Sequence, residues 1–353
     1  MSDVLHDIRP QLSARLIFLI ALVCFLFVLD LALGSVRVPL SDVLSILVGE
    51  GSDSTAWENI ILKIRLPRSV TAILAGGALA LAGLQMQTLF RNPLAGPSIL
   101  GITAGASFGV AAVMLASGSA ATAFAIKALG IGGSWLIILA STLGALLVLL
   151  VILAISYKIR DNIIMLIVGI MVANITVAII SIWQYFSNPE QIQEYLLWTF
   201  GSLGGVTNHQ LGILAVVVLA GTAGTFFLSK TLNVLLLGED YAQSMGLNIR
   251  RARLLIILIT SLLAGAITGF CGPIGFIGIA VPHLTRSLLN TSDHKILVPS
   301  ALLMGAALLL LCDIIAQVPG SSTVLPVNAI TALVGSPIVI WIIVKRRNLK
   351  ASF

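Results

Sequence analysis

Long apolar runs separated by short polar stretches dominate this sequence. The runs are close to 20 residues long, the length at which an α-helix crosses the hydrocarbon core of a bilayer. They lack the alternation of apolar and polar positions that a membrane-spanning β-strand requires. The pattern therefore predicts an all-α polytopic membrane protein with about ten transmembrane helices. The predicted spans are 16–34, 65–89, 99–116, 134–155, 163–185, 211–228, 254–270, a short span within 272–289, 297–316, and a last span that ends at Lys345.

Residues 230–253 interrupt the apolar pattern most strongly. The segment carries two acidic residues and three arginines, which makes it too polar to span. Its helical periodicity predicts two short helices with breaks at Gly238 and Gly246. These helices either present apolar side chains to a groove on another protein or lie on the lipid surface. The periodic positions are Leu232, Leu235, Leu236 and Glu239.

Two further stretches lie outside the predicted spans. Residues 36–63 are mixed in character and contain an amphipathic piece typical of a membrane interface. Residues 187–206 are too broken by proline and glycine to span, and predict a short outer helix followed by a loop. Residues 1–353 are expected to form one transmembrane domain.

Composition narrows the class of protein. With 58% apolar residues, 10% charged residues and a mean hydropathy of +1.08, the chain is excluded from the soluble globular class. Its three cysteines form no CxxC pair, so neither a disulfide framework nor a zinc site is indicated. The first apolar run lacks a cleavage site of small residues, and we expect it to be a retained span.

Basic residues are distributed unevenly between the predicted loops. With the N-terminus inside, 15 of the 20 Lys and Arg residues fall on the inner side and 5 on the outer side. This bias predicts that both termini are cytoplasmic. The charges are scattered rather than striped, so the net charge of +6 indicates no nucleic-acid partner.

The nucleotide-binding motif GxxxxGK[ST] and the metalloprotease motif HExxH are absent from the sequence. We therefore expect no enzymatic activity and no metal or cofactor site on this chain. Asp313 is the one ionisable residue well inside a late span. It is either a proton site of an ion-coupled carrier or, more commonly for such a residue, a buried helix contact. With so few intramembrane charges, the energy for transport is expected to come from another protein.

Arg65 and Arg68 form an unusual pair. They lie on the predicted outer side, against the charge bias, and at a predicted helix N-terminus, where the helix dipole disfavours cations. Three residues apart on a helix, they share one face that suits the carboxylates of an external partner. Alternatively, Glu58 or lipid headgroups neutralise them.

Polar side chains in the fifth and tenth spans carry no charge. They either line a weakly polar cavity or serve helix packing. Such a cavity suits a bulky, shielded chelate better than a bare metal ion, which prefers carboxylate or imidazole ligands. The residues are Asn174, Thr176, Ser181, Asn328, Thr331 and Ser336.

Several stretches, taken in order, resemble the FecCD-type ABC transporter permeases, which are the membrane subunits of importers for iron siderophores, haem and cobalamin. The resemblance covers the chain from about residue 60 to its end. The matching stretches are 65–68, 76–87 with 91–95, 100–106, 198–202, 232–246, 275–278 with 281–283 and Arg286, 293–295, 325–326 and 331–337.

This resemblance implies the cobalamin-permease-like fold of type II ABC importers, with ten helices per subunit. It implies a homodimer in the lipid of the inner (plasma) membrane of a bacterial cell. The homodimer is expected to work with two cytoplasmic ATPase subunits, which bind the ATP and magnesium, and with a periplasmic or lipid-anchored substrate-binding protein. The expected cargo is a bulky metal chelate, either a ferric siderophore or haem; cobalamin is the alternative, and a proton-coupled secondary carrier is a more distant one.

The resemblance also assigns residues. It makes residues 232–246 the part that contacts the ATPase, and we name the whole interruption, residues 230–253, the coupling segment. Arg65, Arg68 and position 317 are implied in docking of the binding protein. The implied gates are Asn92 and Leu94 after the second span, Asn162 before the fifth, and Trp198 in an outer helix. The implied ATPase contacts are Leu232, Asn233, Leu236, Leu237, Gly238, Glu239, Ala242, Met245 and Gly246.

Three positions depart from the family pattern. Gln317 stands where members often carry arginine, so we expect that docking contact to be weaker or moved. Val324 replaces a common acidic residue, and Asn328 stands where glycine is frequent. These departures concern the docking geometry and the outer mouth rather than the class of protein.

Overall fold

The regular structure of this chain is helical. The computed structural model describes residues 2–52, 54–116, 133–158, 161–318 and 323–346, and these ranges contain no β-strand. Numbered in chain order, the helices are α1 Ser2–Ala32, α2 Leu40–Val48, α3 Thr55–Leu89, α4 Ile102–Leu115, α5 Gly133–Lys158, α6 Asn162–Phe186, α7 Pro189–Thr199, α8 Asn208–Phe227, α9 Ser229–Leu235, α10 Glu239–Ser244, α11 Ile249–Cys271, α12 Ile277–Leu289, α13 His294–Ala316 and α14 Val327–Arg346.

Each predicted span falls on a helix. Within the described ranges, seven helices are long and apolar enough to cross a membrane, namely α1, α3, α5, α6, α8, α11 and α13. Shorter apolar helices occupy the third, eighth and tenth predicted positions. The eighth is only 13 residues long, as its two prolines led us to expect. The prediction of an all-α polytopic membrane protein is confirmed.

One predicted boundary is wrong, and it affects the arginine pair. Helix α3 begins at Thr55 and continues through Arg65 and Arg68, so these residues lie inside a helix and not at its N-terminus. Pro67 led us to expect a start there because proline favours the first helical turn. Instead, a π-helical turn at Ile61–Arg65 precedes it. Such a turn changes the local hydrogen-bond pattern, so a proline without an N–H does not end the helix.

Helix α3 lies at the centre of the fold. It is buried at every residue from Ala75 to Leu89, and α8, α11, α12 and α13 pack around it. Glycines permit this close packing. A methyl group added to Gly76 would overlap the Gly305 carbonyl oxygen of α13, and one added to Gly83 would overlap the Gly278 carbonyl oxygen of α12. Small residues at these crossings let the helix backbones approach closely, as is common in membranes.

A second core connects the end of α3 to the coupling segment. Met86 and Leu89 belong to the same buried cluster as Leu232 and Leu235 of α9 and Ala242 of α10. The coupling segment, the end of α3 and the start of α13 therefore meet at one end of the helix bundle, which we call the inner end because the sequence predicts that it is cytoplasmic. The opposite end, where residues 30–36, 65–68, 198–206 and 313–317 lie, is called the outer end.

Candidate functional site

The coupling segment contains the two short helices that the sequence predicts, α9 and α10. Gly238 and Gly246 separate and end them with φ angles of 106° and 87°, a left-handed region that glycine tolerates best. The break points are therefore as predicted. The segment is joined to the long helices α8 and α11 on either side, so a force on it acts directly on two candidate spans.

The apolar side chains of the coupling segment divide into two groups. Leu232, Leu235 and Ala242 are at most 3% exposed and pack into this chain's own core. The expectation that Leu232 and Leu235 are free to enter a groove on another protein is therefore wrong. Helical periodicity identifies an apolar face but not whether that face meets the same chain or a partner. Leu236 is half-buried, and Gly238 is buried.

A different apolar set is open at the surface. Leu237 is 59% exposed, Tyr241 is 57% exposed and Met245 is 59% exposed, and we name these three residues the exposed trio. Tyr241 and Met245 are four residues apart and share a face. An aromatic ring and a flexible methionine together are typical of the centre of a protein interface. Gly246, which follows the trio, is also exposed.

Polar contacts hold the two short helices of the coupling segment in place. Glu239, at the start of α10, accepts a hydrogen bond of 3.1 Å from Arg253 of α11. The Asn233 amide donates to Asp293, which precedes α13, at 2.7 Å. Partial burial alone would raise the pKa of Asp293, but hydrogen bonds from Asn233 and from the Lys295 backbone, with nearby positive charge, lower it below its usual value. Asp293 is therefore ionised at neutral pH and accepts from Asn233.

The implied inner gate is a tight loop directly after α3. Asn92 donates its backbone N–H to the Gln87 carbonyl at 3.1 Å, and its side-chain oxygen accepts from the Leu94 N–H at 2.9 Å. Leu94 is 40% exposed, so an apolar side chain projects from a turn that is hydrogen-bonded to the helix end. Asn162 is the first residue of α6 and follows Asp161, which caps that helix by accepting from the Ile163 and Ile164 N–H groups.

Trp198 lies near the C-terminal end of α7, the predicted short outer helix. Its ring stacks on Tyr195 with 6.2 Å between centroids, and the two side chains pack in a small apolar cluster with residues of α4 and α6. Burial raises the pKa of Tyr195, so its hydroxyl stays neutral. Trp198 also borders a cleft of about 160 Å³ that includes Phe270, Cys271 and Gly272 at the end of α11.

The arginine pair lies at the outer end but points inward. Arg68 forms a two-pronged ion pair with Asp313 of α13, with contacts of 2.8 and 2.9 Å, and its side chain is 13% exposed. Arg65 is 5% exposed and donates to the carbonyl oxygens of Leu31, in the last turn of α1, and of Val36, after that helix. The shared, open face that we expected is therefore not present. Within the chain, Asp313 rather than the expected Glu58 neutralises Arg68.

Gln317 joins this cluster. Its amide donates to Asp30 at 2.9 Å and to Asp313 at 3.0 Å, while Ser69 donates to the other Asp30 oxygen. Asp30 and Asp313 are fully buried. The interpretation of Asp313 as a buried helix contact is confirmed by these bonds. A docking role for Arg65, Arg68 and Gln317 stays a prediction, and it requires a partner's carboxylates to replace the contacts that these side chains make within the chain.

Several polar residues predicted to line a cavity bond within the protein. Thr176 and Ser181 donate to carbonyls one turn back in α6, and Thr331 donates to the Asn328 carbonyl. Asn328 itself accepts from the Gly275 N–H at 3.0 Å and so holds the loop before α12. The helix-packing interpretation fits Thr176, Thr331 and Asn328, whereas Ser181 is exposed on α6. Asn174 is exposed on α6, and Val324 is 56% exposed before α14.

Two clusters of hydrogen-bonded polar side chains were not predicted from the sequence. Asp30 and Ser69 belong to the outer arginine cluster, and Thr88 and His294 belong to a hydrogen-bonded chain at the inner end. Their partners lie far away in sequence, so local spacing gave no signal. The one usable indication was the presence of ionisable residues at both ends of apolar runs. Within the described residues, no group of three or more His, Cys, Asp or Glu side chains is arranged to hold a metal ion.

Comparison with known proteins places this arrangement in context. The profile of the FecCD transport family matches residues 21–345. The chain is 35% identical over 296 residues to the vitamin B12 import system permease protein BtuC of Klebsiella pneumoniae, covering 84% of this chain and 85% of that protein. It is 34% identical over 319 residues to the hemin transport system permease protein HmuU of Yersinia pestis, covering 90% and 93%.

A solved structure supports the same architecture. An ABC transporter described as metal-chelate type, in an inward-facing conformation, superimposes with a TM-score of 0.81 at 27% sequence identity. The match covers 94% of this chain and 99% of that chain. The order and packing of helices α1 to α14 are therefore similar to those of a transporter subunit over almost the whole length.

Proposed function

The chain belongs to the FecCD transport family, and we propose that it is the membrane-spanning permease subunit of an ATP-driven importer for a bulky, shielded chelate. The resemblance that the sequence indicated is confirmed, and with it the class of ABC importer permease. The observation that carries the proposal is a family match over residues 21–345 combined with about one-third identity to two permeases over most of their length.

The proposed assembly has two copies of this chain, two cytoplasmic ATPase subunits and a substrate-binding protein. ATP and magnesium would bind to the ATPases and not to this chain. The assembly would lie in the plasma membrane with both termini of this chain cytoplasmic, as the bias of basic residues predicts. What supports the ATPase contact is the exposed trio, which gives the inner end an uncommitted apolar surface.

The proposed mechanism is a nucleotide-driven switch between two arrangements of rigid helices. Movement of the coupling segment would displace α8 and α11, which flank it. In one arrangement the loop of Asn92 and Leu94 would close the inner side while the region of Trp198 leaves the outer side open. In the other arrangement the inner side would be open and the outer side closed. The Asn92 loop is held by backbone hydrogen bonds, and Trp198 is packed against Tyr195. We therefore expect each gate to move as one unit, without its individual residues separating.

Haem or a ferric siderophore is the proposed cargo, with cobalamin as the alternative. The relatives named above are permeases for hemin and for vitamin B12, so both classes are represented at similar identity. The six polar residues named above on α6 and α14 are uncharged, and several of them already bond within the protein. Such walls offer no set of ligands for a bare cation, but they accommodate an organic molecule that encloses its metal.

Import into proteoliposomes tests the cargo. The complex would be reconstituted with its binding protein, and haem, a ferric siderophore, cobalamin or free Fe³⁺ would be supplied outside with ATP inside. We expect ATP-dependent accumulation of one of the three chelates and none of free Fe³⁺. Accumulation of the bare ion, or no accumulation of any chelate by a complex that hydrolyses ATP, would contradict the proposal.

A further inference from the structure

A chain of hydrogen bonds crosses three helices at the inner end. The side-chain oxygen of Asn233 in α9 lies 2.7 Å from the His294 ring Nδ1 and accepts from the His294 backbone N–H at 2.8 Å. On the opposite side of the ring, His294 Nε2 lies 2.8 Å from the hydroxyl of Thr88, in the last turn of α3. His294 is fully buried and Thr88 is 1% exposed. One imidazole ring therefore spans the gap between the coupling segment and the central helix.

The hydrogen-bonding capacity of each group fixes this geometry. The Asn233 NH₂ is used by the Asp293 carboxylate, so its oxygen must face the ring. This oxygen accepts only, and Nδ1 therefore carries a hydrogen. The Thr88 hydroxyl has one proton and lies 2.9 Å from the Leu84 carbonyl as well as 2.8 Å from Nε2. The buried Thr88 thus holds one ring nitrogen and the half-buried Asn233 holds the other, and Arg286 lies close enough to act electrostatically on the ring.

The Thr88 end of this series of hydrogen bonds lies next to the inner gate. Thr88 is one residue from the end of α3, and Asn92 donates back to the Gln87 carbonyl in the same turn. The gate loop also lies close to the coupling segment, at Arg91. Arg91 places a guanidinium nitrogen 3.5 Å from the position that a methyl group on Gly238 would occupy, between α9 and α10. A shift of α9 that keeps these buried bonds must move the gate turn with it.

We propose that Asn233, His294 and Thr88 form a relay that transmits displacement of the coupling segment to the Asn92 and Leu94 gate. The inference rests on the proposed function, since it assumes that an ATPase moves the segment. The three residues are positioning residues and touch neither nucleotide nor cargo. A buried polar group that loses its partner keeps the full cost of its desolvation, so the relay resists separation and behaves as a stiff connection.

Breaking the relay at its gate end gives the sharpest test, because Thr88→Val is nearly isosteric and lies away from the ATPase surface. The complex carrying T88V is expected to bind the ATPase as the wild type does and to hydrolyse ATP, but to import about tenfold less cargo per ATP hydrolysed. H294Q, which cannot hold both partners at once, should give the same result. Because the two changes interrupt one path, the double variant should be no worse than either single variant.

Two further measurements separate the relay from a general structural effect. The rate at which a membrane-impermeant maleimide labels Leu94→Cys, with Cys24 replaced by alanine, should change with ATP in the parent and not when T88V is added. H209Q is the matched histidine control, because His209 contacts Trp135 far from this chain of bonds, and it should leave coupling unchanged.

The outcomes distinguish the relay from the proposed function. If the parent complex binds no ATPase and imports nothing, the proposed function fails. If the parent imports and T88V imports with the same yield per ATP and the same ATP-dependent labelling at position 94, the relay is refuted while the proposed function stands. If H294Q fails to fold, T88V still decides the question, since it leaves the Asn233 and His294 contacts intact.

Discussion

Replacing Arg68 by methionine is expected to destabilise the protein by about 3–5 kcal/mol, because it would leave the fully buried Asp313 without its ion-pair partner. D313L should lower the stability by a similar amount, since it would leave Arg68 without its carboxylate partner. The double variant R68M/D313L should recover most of the loss, because a buried ion pair exchanged for apolar residues of similar volume is often neutral in stability. Thermal unfolding of the detergent-solubilised protein would rank the four proteins.

A control for this prediction lies in the same stretch of α3. Lys63 is exposed, so K63M removes a nearby charge without uncovering a buried carboxylate and should leave the unfolding midpoint almost unchanged. A single R68M variant as stable as the wild type would mean that the Arg68 and Asp313 contact contributes little. A double variant whose loss equals the sum of the two single losses would mean that the residues act independently.

Truncating Tyr241 to alanine is expected to weaken the ATPase contact by about 30-fold in Kd, because exposed aromatic residues at the centre of an interface typically contribute about 2 kcal/mol or more. L237A and M245A should act in the same direction. Charged replacement, as in L237D, should abolish both binding and import, since it would place a carboxylate in an apolar contact. Binding of the purified ATPase to this chain in nanodiscs would measure the effect.

The same helix provides the matched control. Gln243 is exposed on α10, two residues from Tyr241, and therefore projects from a different side of the helix. Q243A should leave ATPase affinity within about twofold, as surface changes away from anchors usually do. Equal losses for Q243A and Y241A would indicate that the exposed trio has no special role. A full-affinity L237D variant would show that the ATPase does not contact this surface.

The sequence was sufficient for features that depend on local pattern. Apolar run length located every helix that forms a candidate span, and the glycines at 238 and 246 located both breaks in the coupling segment. The start of α3 was missed because Pro67 is compatible with a first turn as well as with a helix that already contains a π-turn. Local sequence does not distinguish these cases, since the choice depends on how the preceding residues pack.

The orientation of polar and apolar faces was harder to predict. Leu232 and Leu235 were expected to face a partner, but they pack under the end of α3, and the exposed side chains come from the turn and helix that follow. The Asp30 to Gln317 contact joins residues 287 positions apart, and the Thr88 to His294 contact joins residues 206 apart. Periodicity carries no information over such distances, so neither cluster was predictable from one sequence.

The central claim is that an ATPase bound to the coupling segment drives import. Chelate uptake by proteoliposomes with and without the ATPase tests it most directly. With the ATPase, the binding protein and internal ATP, the chain should accumulate its chelate, and the L237D variant should not. Without the ATPase, it should accumulate nothing, even under an imposed pH gradient. Uptake by this chain alone, driven by the pH gradient, would contradict the proposed mechanism and would favour a proton-coupled carrier.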